Sequence, residues 1–214
     1  MGIYLQSCDF FDVFGNIVNN IAGGNEGIAC NTCNYGSIFS NVISSTTGDA
    51  ISGTALSYTS IANNAVWKTK SGQRDIYLSS GERVTVTGNI LRGNGTSDYG
   101  IRLTDVDNSV IANNVSTGHD TYGIRSDVNS NNNNISGNVV DDSSPYSIGS
   151  STGTGTQFQS VIGLVSKTAV ELQQSTPTVV GQMVWNSGTS KIFVSTGIAA
   201  CGSWAASDNY ATGP

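Results

Sequence analysis

The sequence predicts an all-β protein, a right-handed parallel β-helix of about six to seven coils of 23–25 residues that is followed by a small C-terminal β region. Three observations predict this fold. An asparagine followed by an apolar residue recurs at intervals of 25, 23, 25, 25 and 24 residues. An isoleucine recurs with nearly the same period, and glycine-rich polar segments separate the short apolar ones. Such periodic repeats of short strands are typical of solenoids.

The recurring asparagines are expected to form a ladder along one turn of the coil. They are Asn16, Asn41, Asn64, Asn89, Asn114 and Asn138. Asparagine tolerates left-handed backbone angles, and its side-chain amide can bond the same residue one coil away. We therefore predict a structural role for these residues in preference to a row that binds sugars.

Three columns of apolar side chains are predicted to fill the interior. The first contains Ile3, Ile28, Ile51, Ile76, Ile101, Ile124 and Ile148. The second contains Val13, Ile38, Ile61, Val86, Ile111 and Ile135. The third directly follows the asparagines, at Ile17, Val42, Ala65, Ile90, Val115 and Val139. One coil cannot bury these side chains, whereas stacking in register places like residues about 4.8 Å apart. The sequence has neither the leucine spacing of leucine-rich repeats nor the 3.6-residue period of helical ones.

These repeats resemble the pectate-lyase-like family of parallel β-helices. The resemblance covers about residues 2–150 and lies in the pattern G-I-x-L…V-x-x-N-x-V. That family includes polysaccharide lyases, glycoside hydrolases, alginate epimerases and the tailspikes and tail fibres of bacteriophages. The resemblance therefore implies the fold of residues 1–150 closely and the function only broadly.

Composition favours an extracellular or virion-borne β protein. The chain has 26 Gly, 3 Pro, 11% charged residues and a net charge of −6. An acidic chain does not favour nucleic acid as a partner, and no apolar run is long enough to insert in a membrane. Because Met1 is followed at once by a repeat in progress, and terminal coils need caps, we expect a C-terminal piece of a longer chain.

The cysteines favour packing roles. Cys8 and Cys33 occupy the same repeat position on neighbouring coils, which predicts a stacked pair of small apolar side chains inside the helix. A disulfide between them requires suitable side-chain directions. Cys30 and Cys33 form an isolated C-x-x-C in a chain with one histidine, so we predict no zinc site.

Residues 151–214 lack the repeat and are predicted to form the small β region. The segment GQMVWNSGTSKIFVST predicts a hairpin, with Met183 and Trp185 on one arm and Ile192 and Val194 on the other. The hairpin, followed by Trp204, resembles the C-terminal segments of phage tail proteins. That resemblance implies a homotrimer joined through this region, with a monomeric cap on the last coil as the alternative.

Two outward columns contain the candidate functional residues. Tyr77, Arg102 and Arg125 are predicted to form a vertical stripe that binds substrate by stacking on sugar rings and by hydrogen bonding to carboxylated glycans. Glu82 and Asp107 are expected to be neighbours one coil apart, with Asp105 two residues away on the same face. Carboxylates about 5 to 9 Å apart are what glycoside hydrolysis requires. These three are the candidate catalytic residues, and solvated surface acids are the alternative.

We predict no metal site or cofactor, with Ca²⁺ bound by the same three carboxylates as the alternative. The single histidine, His119, lies in the segment STGHDTYG between coils and is expected to be a solvated loop residue, with a role as a catalytic acid or base as the alternative.

Taken together, the sequence favours a fragment of a phage tailspike or tail fibre, located in the virion tail or outside the cell, that recognises a bacterial cell-surface polysaccharide. A rigid rod with a polar face is sufficient for that role, and a trimer adds avidity. The sequence leaves open whether the glycan is also cleaved. The alternative is a stand-alone β-helical polysaccharide lyase or glycoside hydrolase.

Overall fold

The computed structural model describes residues 1–67, 69–127, 129–141, 147–148, 156–159, 166–167, 183–186, 191–195 and 204–206. Every helix or strand assigned in this part of the chain is a β-strand, which confirms the predicted class. The chain divides into two compact units, Met1–Ile162 and Gly163–Pro214. The predicted boundary after residue 150 falls outside the described residues.

The described part of the first unit contains short strands that follow one another three to a coil. In chain order they are β1 (Ile3–Gln6), β2 (Asp12–Phe14), β3 (Ile17–Ile21), β4 (Ile28–Asn31), β5 (Ser37–Phe39), β6 (Val42–Thr46), β7 (Ile51–Thr54), β8 (Ser60–Ala62), β9 (Ala65–Trp67), β10 (Arg74–Glu82), β11 (Thr85–Thr87), β12 (Ile90–Arg92), β13 (Tyr99–Asp107), β14 (Val110–Ala112), β15 (Val115–Thr117), β16 (Tyr122–Ser126), β17 (Asn134–Ser136), β18 (Val139–Asp141), β19 (Ser147–Ile148) and β20 (Gln157–Gln159).

Three parallel sheets run along this unit. The first sheet has the order β1-β4-β7-β10-β13-β16-β19, the second β2-β5-β8-β11-β14-β17-β20, and the third β3-β6-β9-β12-β15-β18. Neighbouring strands pair in register, so that Ile76 lies between Ile51 and Ile101. Among the described strands, six coils contribute to all three sheets and a seventh contributes to two, as the repeat count predicts.

The first two predicted interior columns are confirmed. Ile28, Ile51, Ile76 and Ile101 in the first sheet are fully buried, and Ile38, Ile61, Val86 and Ile111 in the second sheet are equally buried. Each column joins one continuous hydrophobic core. Because each residue has a like-sized neighbour above and below, the core is filled by stacking along the solenoid axis.

The third predicted column is wrong by one residue. Ile17 is 81% exposed, whereas Val18 is 6% exposed, and the same offset holds at Ile90 and Leu91. The physical reason is that the preceding asparagine itself points inward. Strand alternation then turns the next side chain outward and the following one inward.

The asparagine ladder is confirmed as a structural feature. The backbone N–H and the Nδ2 of Asn64 both donate to the Oδ1 of Asn89 at 3.0 Å, and Asn89 donates in the same way to Asn114. Each Nδ2 also donates to a backbone carbonyl, such as that of Ile61 at 2.9 Å. The left-handed backbone angle belongs to the residue before each asparagine, for example to Gly88, whose φ is 65°.

An exposed ladder of aromatic rings follows the turn between the first and second sheets. Phe10 stacks on Tyr35 with ring centroids 5.5 Å apart, and Tyr35 stacks on Tyr58 at 5.0 Å. The guanidinium of Arg83 lies 4.9 Å from the centre of the Tyr58 ring and continues the ladder. Because the rings stack on one another, they present mainly their edges to solvent.

The described part of the second unit contains four strands: β21 (Ser166–Lys167), β22 (Met183–Asn186), β23 (Lys191–Ser195) and β24 (Trp204–Ala206). Strands β22 and β23 pair antiparallel, with Met183 opposite Val194, which confirms the predicted hairpin. Strand β24 pairs antiparallel with β23, and β21 pairs parallel with β22. Residues 187–190, between these two strands, lie outside the described part of the chain.

Candidate functional site

The outward face of the first sheet brings the three predicted binding residues together. Tyr77 is the register partner of Arg102, and Arg102 is the register partner of Arg125. The predicted vertical stripe is therefore present along strands β10, β13 and β16. The role of these residues in substrate binding stays a prediction.

A second column, which the sequence reasoning missed, lies beside this stripe. Arg74 pairs with Tyr99, and Tyr99 pairs with Tyr122. The two tyrosine rings stack with centroids 5.8 Å apart. The signal was available in the sequence, because Tyr-Gly-Ile-Arg occurs twice, at residues 99–102 and 122–125. Equal positions in two successive repeats predict side chains in contact.

The arginines of one column lie over the tyrosines of the other. The guanidinium of Arg102 lies 5.1 Å from the centre of the Tyr99 ring, and that of Arg125 lies 5.3 Å from the Tyr122 ring. Arg74 lies over Tyr77 at 4.0 Å. Cation–π contacts of this kind hold guanidinium groups flat against aromatic rings. The side chains are thereby ordered before any ligand binds.

One carboxylate, Asp127, orients both arginines of the stripe. Its Oδ2 accepts from the Nε of Arg102 at 2.9 Å, and its Oδ1 accepts from the Nε of Arg125 at 2.6 Å. The hydroxyl of Thr104 donates to Oδ2 at 3.0 Å. Burial acts to raise the pKa of Asp127, but these hydrogen bonds and the charge of Arg102 outweigh burial and lower its pKa below the ordinary value.

We call Arg74, Tyr77, Tyr99, Arg102, Tyr122, Arg125 and Asp127 the arginine–tyrosine patch. Two guanidinium groups share Asp127, so the stripe keeps an excess positive charge in a chain whose net charge is −6. The side chains of Arg102 and Arg125 are 30% and 27% exposed. Within the described residues, Nη1 of Arg102 and Nη2 of Arg125 have no hydrogen-bond acceptor. The patch can therefore donate hydrogen bonds to a carboxylate from solution.

Arg74 has its own counter-charge. Its Nη2 lies 2.7 Å from the Oδ2 of Asp49, one coil away, and its backbone N–H donates to the Oδ1 of Asp49 at 2.9 Å. Burial raises the pKa of Asp49 above its ordinary value, although the charge of Arg74 acts in the opposite direction. Arg74 thus ties the patch to the preceding coil and contributes little net charge.

The three candidate catalytic carboxylates lie at the end of the same sheet. Glu82 is the register partner of Asp107, as predicted, and Asp105 lies two residues before Asp107 on β13. Asp105 has a left-handed φ of 58°. The buried Val106 separates the two aspartates along the strand, so both of their side chains lie outside the core.

Each of these carboxylates has a partner in the described structure. Arg83 donates to Glu82 at 3.3 Å, and the hydroxyl of Ser80 lies 3.5 Å from Asp105. Oδ1 of Asp107 accepts from the backbone N–H of Asn131 at 2.6 Å and from its Nδ2 at 3.1 Å. The bonds of Asp105 and Asp107 link successive coils, whereas that of Glu82 lies within one coil. A catalytic role for the three residues stays a prediction.

The expectation of a solvated histidine is wrong. His119 is 2% exposed, and its Nε2 lies 2.9 Å from the Oδ2 of Asp75. Its Nδ1 lies 3.1 Å from the hydroxyl of Ser116, and Thr69 donates to the other oxygen of Asp75. The side chain is buried because both of its ring nitrogens have partners on neighbouring parts of the solenoid. This Ser–His–Asp arrangement is buried, so substrate cannot reach it as it stands.

Across the described ranges, no three His, Cys, Asp or Glu side chains are grouped so that they can hold a metal ion. Glu82, Asp105 and Asp107 form no such group, and binding of Ca²⁺ by them stays untested. In the same part of the chain, no helix is long and apolar enough to cross a membrane.

The fold and the stacked face define a parallel β-helix with a cationic, aromatic patch. The chain belongs to the family of right-handed β-helix regions, whose family model matches residues 1–161. No curated protein sequence matches the chain significantly.

A solved structure, tailspike protein 3 of bacteriophage CBA120, is similar at 11% sequence identity and a TM-score of 0.36. The similarity covers 90% of this chain and 45% of that protein, so the chain spans less than half of its length.

Proposed function

We propose that the chain is part of a phage tailspike or tail fibre and that it binds an acidic polysaccharide of the bacterial surface through the arginine–tyrosine patch. The observation that carries this proposal is the sharing of Asp127 by Arg102 and Arg125 above stacked tyrosines. The two arginines are held in place by protein contacts and retain exposed donors for a second carboxylate. A uronic-acid sugar supplies that carboxylate, and its ring carbons supply an apolar face.

The location in a virion tail is proposed from the phage-like C-terminal motif together with the rigid β-helix. We also propose that the second unit joins three copies. Light scattering behind size exclusion tests this directly. A mass of three chains supports the tail-fibre assignment, and a mass of one chain contradicts it.

The binding proposal is tested with a uronic-acid-containing capsular polysaccharide and with the same polymer after its carboxyl groups have been reduced to alcohols. Binding is expected only to the acidic form and is expected to weaken as salt increases. The variants Arg102→Gln and Arg125→Gln should each weaken binding by about 10-fold or more, since each removes charge-assisted hydrogen bonds.

Arg83→Gln is the matched control. Its side chain is 48% exposed, and it stacks on an aromatic ring as the patch arginines do, but it lies outside the patch. The Arg83→Gln variant should bind the acidic polysaccharide with the same affinity as the unchanged protein. Equal binding to the reduced polymer, or equal losses in all three variants, would contradict the proposal.

A second candidate function, cleavage of the bound glycan, is favoured by the register contact between Glu82 and Asp107. The same incubations test it through the release of new reducing ends or of unsaturated uronates. Loss of that release in Glu82→Gln, with binding retained, would support a catalytic role. The absence of any cleavage would leave recognition as the activity of this chain.

A further inference from the structure

We propose that Cys8 and Cys33 form a thiol pair that a small-molecule disulfide converts into a covalent link between the first two coils. Nothing in the binding function requires these residues. The proposal rests on how the backbone and the two side chains are placed and does not depend on the proposed function.

The backbone holds the two cysteines side by side. The N–H of Asn34 donates to the carbonyl of Cys8 at 2.8 Å, and Asp9 and Asn34 form a parallel bridge directly after the cysteines. In-register parallel strands lie about 4.8 Å apart, which falls in the Cα separation that disulfides adopt. The Cα spacing of the register is therefore compatible with a disulfide once the two side chains rotate toward each other.

The two thiols occupy equivalent surroundings. Sγ of Cys8 donates to the carbonyl of Gln6 at 3.4 Å, and Sγ of Cys33 donates to that of Asn31 at 3.4 Å. Each bond spans two residues within its own coil. Cys33 is completely buried, and Cys8 is partly exposed and packs on the same core, so the predicted stacking is confirmed.

A third thiol, Cys30, lies nearby and is the competing partner. Burial, followed by the charges of Cys33 and Cys8, raises the pKa of Cys30 to about 12. Burial also raises the pKa of Cys33. Cys33 lies next to Cys8 in the register of the two coils, whereas the register partners of Cys30 are Leu5 and Gly53. Since the thiolate is the reactive species and contact decides the pairing, Cys8 and Cys33 are the favoured pair.

The reaction proceeds in two exchanges. The thiolate of Cys8, the accessible member, attacks one sulfur of oxidised glutathione, forms a mixed disulfide and releases one glutathione thiolate. The thiolate of Cys33 then attacks the Cys8 sulfur, forms the Cys8–Cys33 bond and releases the second glutathione. The protein loses two electrons and two protons, and oxidised glutathione gains them.

The sequence offers a direct way to locate the bond. Cleavage after glutamate separates Cys8, in residues 1–26, from Cys30 and Cys33, in residues 27–82. The full chain carrying Cys201→Ser is incubated folded with oxidised glutathione, then unfolded with an alkylating reagent and digested. The expected product is a linked pair of these two peptides, whose fragmentation places the bond at Cys33.

Variants separate the alternatives. Cys30→Ala should retain the linked pair, and Cys8→Ala should abolish it. Oxidation should also raise the thermal unfolding midpoint of the Cys201→Ser protein, reversibly with reductant, and should not raise it when Cys8→Ala is added. Cys8→Ala replaces a partly exposed side chain, so the variant is expected to fold. A bond within residues 27–82, a bond to Cys30, or no bond at all would overturn the proposal.

Discussion

The imidazole of His119 lies 2.9 Å from the carboxylate of Asp75, although 44 positions separate them in the chain. Asp75 belongs to β10 and His119 to the turn before β16, so the contact passes across the coil that contains β13. Gly100 on that coil makes the contact feasible. A Cβ there would lie 2.2 Å from the Ser116 hydroxyl and 3.2 Å from the ring of His119.

We therefore predict that Gly100→Ala destabilises the protein by about 1–3 kcal/mol, because the added methyl group overpacks the space beside His119 and Ser116. Gly81→Ala is the control. A Cβ at Gly81 meets its nearest atom, the carbonyl of Leu56, at 3.0 Å and nothing else closer than 3.6 Å. Urea unfolding measures both changes. Equal losses in the two variants would show that the space at Gly100 has no special role.

Asn89→Ala should lower the free energy of unfolding by about 2–5 kcal/mol. The variant loses the bonds from Asn89 to Ile61 and Asn114, and it leaves two donors of Asn64 buried without an acceptor. Asn16→Ala should cost less, because no donor among the described residues bonds to the Oδ1 of Asn16. The measurement is again equilibrium unfolding, and a larger loss at Asn16 than at Asn89 would contradict the ladder as the source of stability.

The sequence predicted the fold well because every coil of a solenoid repeats the same local structure. A residue and its counterpart about 25 positions later share a column, so the register of Ile76 with Ile101, or of Tyr77 with Arg102, follows from counting. Orientation was harder to predict. The asparagines are polar and yet face inward. The period alone does not decide whether the residue after each asparagine points into the core or toward solvent.

That offset gives a paired prediction for two adjacent residues. Leu91→Ala should cost about 2–5 kcal/mol, since Leu91 is completely buried. Ile90→Ala should change stability by about 1 kcal/mol or less, since Ile90 is 45% exposed. Both remove an aliphatic side chain from the same strand, so secondary-structure effects are matched. A larger loss of stability in Ile90→Ala than in Leu91→Ala would show that Ile90 faces inward, as the sequence predicted.

The candidate site was predictable only in part. The stripe followed from the register, and Tyr99 and Tyr122 were visible in a repeated tetrapeptide. Asp127 was not found, because its role depends on reaching Arg102 on the previous coil as well as Arg125 two residues before it. The contact of His119 with Asp75 skips a coil, and no comparison of neighbouring repeats indicates it.

The opposite pKa shifts of Asp127 and Asp49 give the last prediction. The pKa of Asp127 is lowered below its unfolded value, so its ionised form stabilises the fold at neutral pH. That stabilisation is present above the unfolded pKa, about 4, and is lost as the pH falls through the lower folded pKa. The stability difference between the unchanged protein and Asp127→Asn should therefore shrink below about pH 4.

Asp49 should behave in the opposite way. Its folded pKa is raised above the unfolded value, so the folded state binds the proton more tightly. The stability of the unchanged protein relative to Asp49→Asn should then increase as the pH falls through the raised pKa toward the unfolded one. Urea unfolding midpoints from about pH 7 to about pH 2 measure both differences. If the two differences moved in the same direction, the two carboxylates would not be held as their contacts with Arg102, Arg125 and Arg74 require.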